Sequence, residues 1–208
     1  FGTTGRLLWQ KDRNGNQTTL NYNTSGILTG VTDAFGRTLA IVTGSNGRVS
    51  QISDALGVIA NYEYIPSSNL LQTVTYNDGS KYKFEYDITT VPGKTFLKTV
   101  KDALDNILET HAYDPQGRAT TSEKHGGVER YTLEFRQYDM TYGEFTRVTD
   151  ALGRITKYFP KTVYGTDLII RTEGECSCSG GSQAVTYTYD TSNSWLNLVK
   201  KTDALNRD

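Results

Sequence analysis

The chain has 208 residues, with 22 basic against 23 acidic side chains, a formal net charge of −1 and 36% hydrophobic residues. Near-neutral charge leaves no electrostatic footprint for nucleic acid or an anionic membrane, and no run of about 18 apolar residues offers a transmembrane span. The hydrophobic content is low for a compact core, whereas 14 tyrosines suit a thin wall, each ring having an apolar body and a polar tip.

In chain order, the first turn signal is Asp12-Arg13-Asn14-Gly15. A strand is predicted over 26–32 and closes on Asp33-Ala34-Phe35-Gly36-Arg37. A second over 47–53 closes on Asp54-Ala55-Leu56-Gly57, and a third covers 60–64. A degenerate turn at Asp78-Gly79 precedes a strand over 81–86. Asp102-Ala103-Leu104-Asp105-Asn106 follows, and then Tyr113-Asp114-Pro115-Gln116-Gly117-Arg118. A strand over 131–135 leads to Asp150-Ala151-Leu152-Gly153-Arg154, and one over 185–189 to Asp203-Ala204-Leu205-Asn206-Arg207.

The turn aspartates fall at 12, 33, 54, 78, 102, 150 and 203, with gaps of 21, 21, 24, 24, 48 and 53. The two long gaps imply worn copies, near Lys124-His125-Gly126-Gly127 and near Glu173-Gly174-Glu175-Cys176. A unit of about 21 to 26 residues lies within solenoid periods. In each unit Asp bonds its own backbone two residues on and Gly accepts positive φ, which suits a hairpin connection. Between turns the pattern has period two: Tyr82, Phe84 and Tyr86 alternate with Lys81, Lys83 and Glu85, as in a half-buried antiparallel strand with one wet face. Each unit therefore reads as two strands and two turns, roughly sixteen strands in all, with almost no helix. An open meander of that length is expected to curl or close.

The recurring Gly-Arg-x-x-x-Val-Thr-Asp-Ala-x-Gly-Arg-x-Thr-x-Tyr-x-Tyr-Asp pattern, clearest at 26–46 and 145–158, resembles the YD repeat of bacterial RHS proteins. The resemblance covers essentially the whole chain, with weaker copies at 65–80, 119–130 and 159–184. It implies a β-strip spiralling into a hollow solenoid shell, as in the cocoon of insecticidal toxin complexes and the barrel of teneurins, where the shell encloses a toxic domain or a peptide. It also implies a secreted, extracellular or cell-surface bacterial setting. The family's self-cleaving aspartyl signature, Asp-Pro-x-Gly-Leu, is matched at three positions by Asp114-Pro115-Gln116-Gly117, but Arg118 stands where the Leu should be. Those residues are read as a turn, and the protease is not carried over.

Other chemistry is weakly signalled. Cys176 and Cys178 sit in a Gly-rich stretch and are read as turn thiols rather than a strained disulfide or half a zinc site, since zinc wants about four ligands. Turn capping accounts for every repeated Asp, whereas glycoside hydrolysis would use two. The dense Gly-Gly-x-Gly-x-Asp spacing of calcium β-rolls is missing. His111 and His125 are read as surface residues. Trp9 and Trp195 are read as strand residues packing on the next turn of the strip.

The expectation is thus an all-β, antiparallel meander of tandem two-strand repeats over 1–208. The start at Phe1 and the end inside a turn read as cuts within a longer array. A β-propeller is the alternative architecture. The expected role is structural and non-enzymatic, without cofactor or metal. The partners would be further repeats and domains of the same polypeptide and an enclosed cargo domain. The alternative role is a surface or filament adhesion module binding carbohydrate or a partner protein.

Overall fold

The computed structural model describes residues 2, 5–175, 182–192, 194–205 and 207. The fold is all-β, an antiparallel meander in which strands pair in chain order. Contacts divide it into two units, Phe1–Glu85 with Thr99–Ile107, and Tyr86–Lys98 with Leu108–Asp208.

The first unit holds β1 (Trp9–Lys11), β2 (Gln17–Tyr22), β3 (Leu28–Thr32), β4 (Thr38–Thr43), β5 (Val49–Asp54), β6 (Gly57–Tyr64), β7 (Leu71–Tyr76) and most of β8 (Lys81–Asp87). Each pairs antiparallel with the next. The end of β9 (Phe96–Lys101) also falls here. The second unit takes most of β10 (Ile107–Tyr113), then β11 (Ala119–Lys124), a 3-10 turn (His125–Gly127), β12 (Val128–Asp139), β13 (Gly143–Thr149), β14 (Ile155–Val163), β15 (Thr166–Glu175), β16 (Ser182–Tyr189) and β17 (Leu198–Thr202). Pairing again runs strand to next strand. Unbroken pairing through eight consecutive strands leaves no four-strand blades, which disposes of the propeller.

The meander follows from the composition: short Thr-, Tyr- and Val-rich runs favour a pleated surface, and several are stopped by a turn whose fourth residue has positive φ, as at Gly15, Gly36 and Gly153. The worn turn foreseen at 124–127 joins β11 to β12. The one foreseen at 173–176 differs: residues 173–175 continue β15, which pairs Glu173 with Lys157 and with Ala184.

Little is buried. Among the described residues, Gly30, Ala60, Val74, Thr99 and Val100 are buried in the first unit, and Phe145 and Phe159 in the second. The predicted single wet face is not what β8 shows. Tyr82 is exposed while Lys81 and Lys83 are half-buried. With so little packed against the aromatic side, lysine stems lie along the sheet, and Lys83 reaches Asp105 at 2.8 Å.

The tightest packing in the second unit is aromatic. Phe159 meets Phe145 at 5.3 Å and Tyr142 at 5.7 Å between ring centroids. Arg171 lies 4.0 Å over Tyr142 and Lys157 5.1 Å over Phe145. Glu173 joins the two cations, 2.8 Å from Arg171 and 3.5 Å from Lys157. Pro160, which cannot donate to a ladder, sits where the β14–β15 register shifts, the place a strand tolerates proline.

Candidate functional site: capped turns and tyrosine latches

The predicted site residues lie at both ends of the strands, because successive turns of a meander alternate ends. Turns after β1, β3, β5, β9, β13 and β17 hold Asp12, Asp33, Asp54, Asp102, Asp150 and Asp203. Asp114, after β10, lies at the opposite end of its unit.

Six of these turns share one geometry. At Asp33, Oδ1 accepts from the backbone N–H of Phe35 and of Arg37, both at 2.9 Å, while Oδ2 accepts Arg37 Nε at 2.7 Å. The Asp33 N–H donates to the Arg37 carbonyl at 2.9 Å, and Gly36 donates to the Asp33 carbonyl at 3.1 Å. Asp114 with Arg118, Asp150 with Arg154 and Asp203 with Arg207 repeat the side-chain pattern. Asp12 and Asp102 use the amides of Asn16 and Asn106 instead of arginine. Two turns depart from it. Asp54 opposes Gly57 directly in a tighter hairpin, and its carboxylate accepts the Leu56 N–H at 2.8 Å. Asp78 is two places out of phase: Tyr76 occupies the capping position, donating to the Ser80 carbonyl and accepting from Gly79. The Asp78-Gly79 phrase resembles the others in composition but not in place.

Hydrogen bonding holds the caps ionised. Side-chain donation from Asn16, Asn106, Arg154 and Arg207 is the largest cause at Asp12, Asp102, Asp150 and Asp203. At Asp33 and Asp114 desolvation is the largest influence and acts upward. The bonds from Arg37 and Arg118 outweigh it, so these carboxyls also lie below the usual range. Each of these carboxylates is thereby tied to its own turn. Asp114 in particular is held by Gln116 and Arg118, and Arg118 also lies 4.4 Å over the Phe135 ring. Gly117 has φ +81, and a Cβ there would stand 2.8 Å from Phe96, so this turn excludes other residues twice over.

Asp105 marks the same position in the 102–106 turn and adopts φ +66 without being glycine. Left-handed backbone costs about 1 kcal/mol for such a residue, and its exposed pairing with Lys83 returns a few tenths. Asp105→Gly is therefore expected to raise stability by up to about 0.5 kcal/mol in urea unfolding; a destabilised variant would show the ion pair to matter more.

Tyrosines add a second recurring element, unforeseen in the sequence. Tyr22, Tyr64, Tyr113 and Tyr189 each end a strand and donate the phenol O–H to a backbone carbonyl of the preceding strand region, at Leu7, Val49, Leu97 and Ile169, over 2.7 to 3.1 Å. At each of these tyrosines the register slips by one residue, leaving Thr29, Gln72, Thr120 and Val199 unpaired on the following strand. Thr43 and Ser50 repeat the slip without a tyrosine. A bulge at a fixed point of the repeat increases local twist each time it recurs. The hint lay in Tyr preceding the turn at fixed phase; the carbonyl partner, 15 to 20 residues upstream, had no local signature. Tyr64→Phe is expected to cost about 0.5–1.5 kcal/mol, read by urea unfolding, and an unchanged midpoint would show the latch to be ornamental.

The other candidates separate. His111 Nδ1 stands 3.1 Å from Ser122 Oγ, and His125 is exposed in the 3-10 turn. Trp9 lies half-exposed on strand β1, and Trp195 occupies an exposed turn rather than the strand position expected of it. Cys176 and Cys178 lie outside the described residues. Among the described residues no group of three or more His, Cys, Asp or Glu is placed to hold a metal ion, and no helix is long and apolar enough to cross a membrane.

No family model matches the chain. It is 31% identical over 152 residues to double-stranded DNA deaminase toxin A of Burkholderia cenocepacia (strain H111), a match covering 69% of this chain and 10% of that protein. The crystal structure of TcdB2-TccC3 shares its fold, with a TM-score of 0.59 and 14% identity over 88% of this chain and 10% of that one. The chain thus spans about a tenth of the length of the curated relative it matches.

Proposed function

We propose that this chain, a member of the RHS/YD-repeat family, forms a stretch of wall in a hollow shell that encloses a toxin or other cargo polypeptide. One observation carries the reading: the same capped turn recurs from Asp12 to Asp203, with every repeated carboxylate engaged by its own turn. Groups used identically in repeat after repeat build surface, whereas a catalytic constellation is assembled once. The shared fold with TcdB2-TccC3 supports the wall, and the deaminase name of the Burkholderia relative supports a toxic cargo. In this reading deamination belongs to a part of such a protein outside the repeats. The whole would work outside the producing cell, delivered as a toxin.

Cryo-electron microscopy of the parent polypeptide tests this. A closed wall with density in its lumen is expected, together with slower proteolysis of the enclosed segment than of the same segment alone. An open filament, or cargo cleaved as fast as the free domain, would refute it. The exposed indole of Trp195 favours a second reading, a surface module stacking on carbohydrate; glycan-array binding that Trp195→Ala abolishes would move the assignment there.

A further inference from the structure

The repeat accounts for what recurs, and one cluster of the second unit does not recur. The chain has two histidines. His111 on β10 is the direct cross-strand partner of Ser122 on β11, and its Nδ1 stands 3.1 Å from Ser122 Oγ. The other ring nitrogen, Nε2, lies 3.7 Å from Glu109 Oε2. Glu109 is two residues away on β10, and so on the same face of the sheet. The imidazole is 18% exposed, while His125 is exposed and lies outside the cluster.

These three side chains line an open cleft of about 160 Å³. Lys124, the register partner of Glu109, lines it too, with Nζ 2.6 Å from Glu129. That bond is the largest of the influences that raise Lys124 above the usual lysine range, so the cleft keeps a positive charge. Glu129 itself adopts φ +51, a left-handed backbone that is costly for a residue other than glycine. Tyr131, opposite Ser122 on β12, is half-exposed at the far side. A hydroxyl within hydrogen-bond reach of an imidazole, whose second nitrogen faces a carboxylate, is the arrangement of an activated nucleophile.

We propose that Ser122, His111 and Glu109 form an acyl-transfer site that hydrolyses small esters. With the ring proton on Nε2, toward Glu109, Nδ1 is free to accept from Ser122. Ser122 Oγ bonds to the acyl carbon and its proton passes to His111 Nδ1. The bond from that carbon to the alcohol oxygen breaks, and the imidazolium gives its proton to the departing alkoxide. Water then adds to the acyl-serine carbon as His111 takes its proton. The bond to Ser122 Oγ breaks, the proton returns to that oxygen, and the carboxylic acid leaves. Glu109 is a positioning residue that orients the ring and stabilises the imidazolium. The Lys124 charge is available to the oxyanion. Drug-sized ligands fill about 300 Å³ or more, so a cleft of this size with charged walls selects a short acyl group such as acetyl. The activity does not depend on whether the wall encloses cargo.

Treating the 208-residue chain with a fluorophosphonate probe, which phosphonylates activated serines, and mapping the adduct by peptide mass spectrometry tests it. Labelling at Ser122 is expected and should vanish in Ser122→Ala. His111→Gln should slow it at least about a hundredfold, and Glu109→Gln about tenfold or more. His125→Gln should label as the parent chain does. Hydrolysis of p-nitrophenyl acetate should follow the same order, and circular dichroism checks that the fold is kept. A parent chain left unmodified at Ser122 would overturn the site whatever the variants do. Equal labelling of the parent and a folded His111→Gln would reduce the contact to a cross-strand hydrogen bond and overturn it too. A filled lumen in the parent polypeptide alongside either result would leave the shell standing without the activity.

Discussion

Replacing Phe159 by alanine is expected to destabilise the second unit by about 3–5 kcal/mol, the largest effect of any single substitution considered. Phe159 is fully buried, and among the described residues no other large side chain reaches that state. Its ring joins Phe145 to Tyr142, and these in turn lie under Lys157 and Arg171. Removing it opens a cavity and strips the support from two cations that share Glu173. Because so few residues in the chain are buried, no neighbouring core is available to collapse into the gap. Phe159→Leu keeps most of the volume and should cost less than about 1.5 kcal/mol. Urea unfolding followed by tyrosine fluorescence provides the measure. A loss below about 1 kcal/mol for the alanine variant would mean that the paired backbone and capped turns, not this aromatic cluster, hold the unit together.

Acid is expected to unfold the chain cooperatively, the second large effect. Asp12, Asp33, Asp102, Asp114, Asp139, Asp150 and Asp203 all titrate below the usual carboxylate range. Asp87 lies far below it, through its side-chain bond from Thr90 first and then the backbone N–H groups of Thr90 and Thr89. A depressed folded value means that the folded state prefers the ionised form. The contribution is complete above the unfolded carboxylate value of about 3.9 and is lost as pH falls through the folded values. The melting temperature should therefore be level from neutral to about pH 5 and drop below about pH 4. Repetition makes the drop steep, since many turns lose their caps within one window. Asp150→Asn, which keeps an acceptor but cannot titrate, should lower the neutral-pH melting temperature and flatten the acid limb. An unchanged melting temperature down to about pH 2 would sink the capping account. At the other extreme, burial raises Tyr86, and burial with the nearby Asp87 charge raises Tyr113. Their contribution is present below the unfolded phenol value of about 10 and is lost as pH climbs through the raised folded values.

Much of this was legible in the chain. The spacing of Asp-Ala-x-Gly phrases was enough to predict strand pairs, and the shared cap follows from putting a carboxylate two and four residues before the N–H groups it receives. Those are local relations, decided by the reach of a side chain and by positive φ. Reading by composition foresaw the turn at Asp78, with its bond from Ser80 N–H and positive φ at Gly79, but missed its phase, since only strand pairing reveals that Tyr76 holds the capping place. It failed on β8, where alternation predicted a dry aromatic face but Tyr82 stands exposed and the lysine stems cover the sheet.

The amino-acid sequence by itself determined the repeat, the strand direction and the chemistry of each turn, because each depends on residues within about five positions of one another. The tertiary structure alone decided where the tyrosine hydroxyls go, where the register slips, and which cations stack on Phe145 and Tyr142. Those outcomes depend on which strand lies alongside, and that pairing joins residues 15 or more positions apart that carry no mark of one another in the chain.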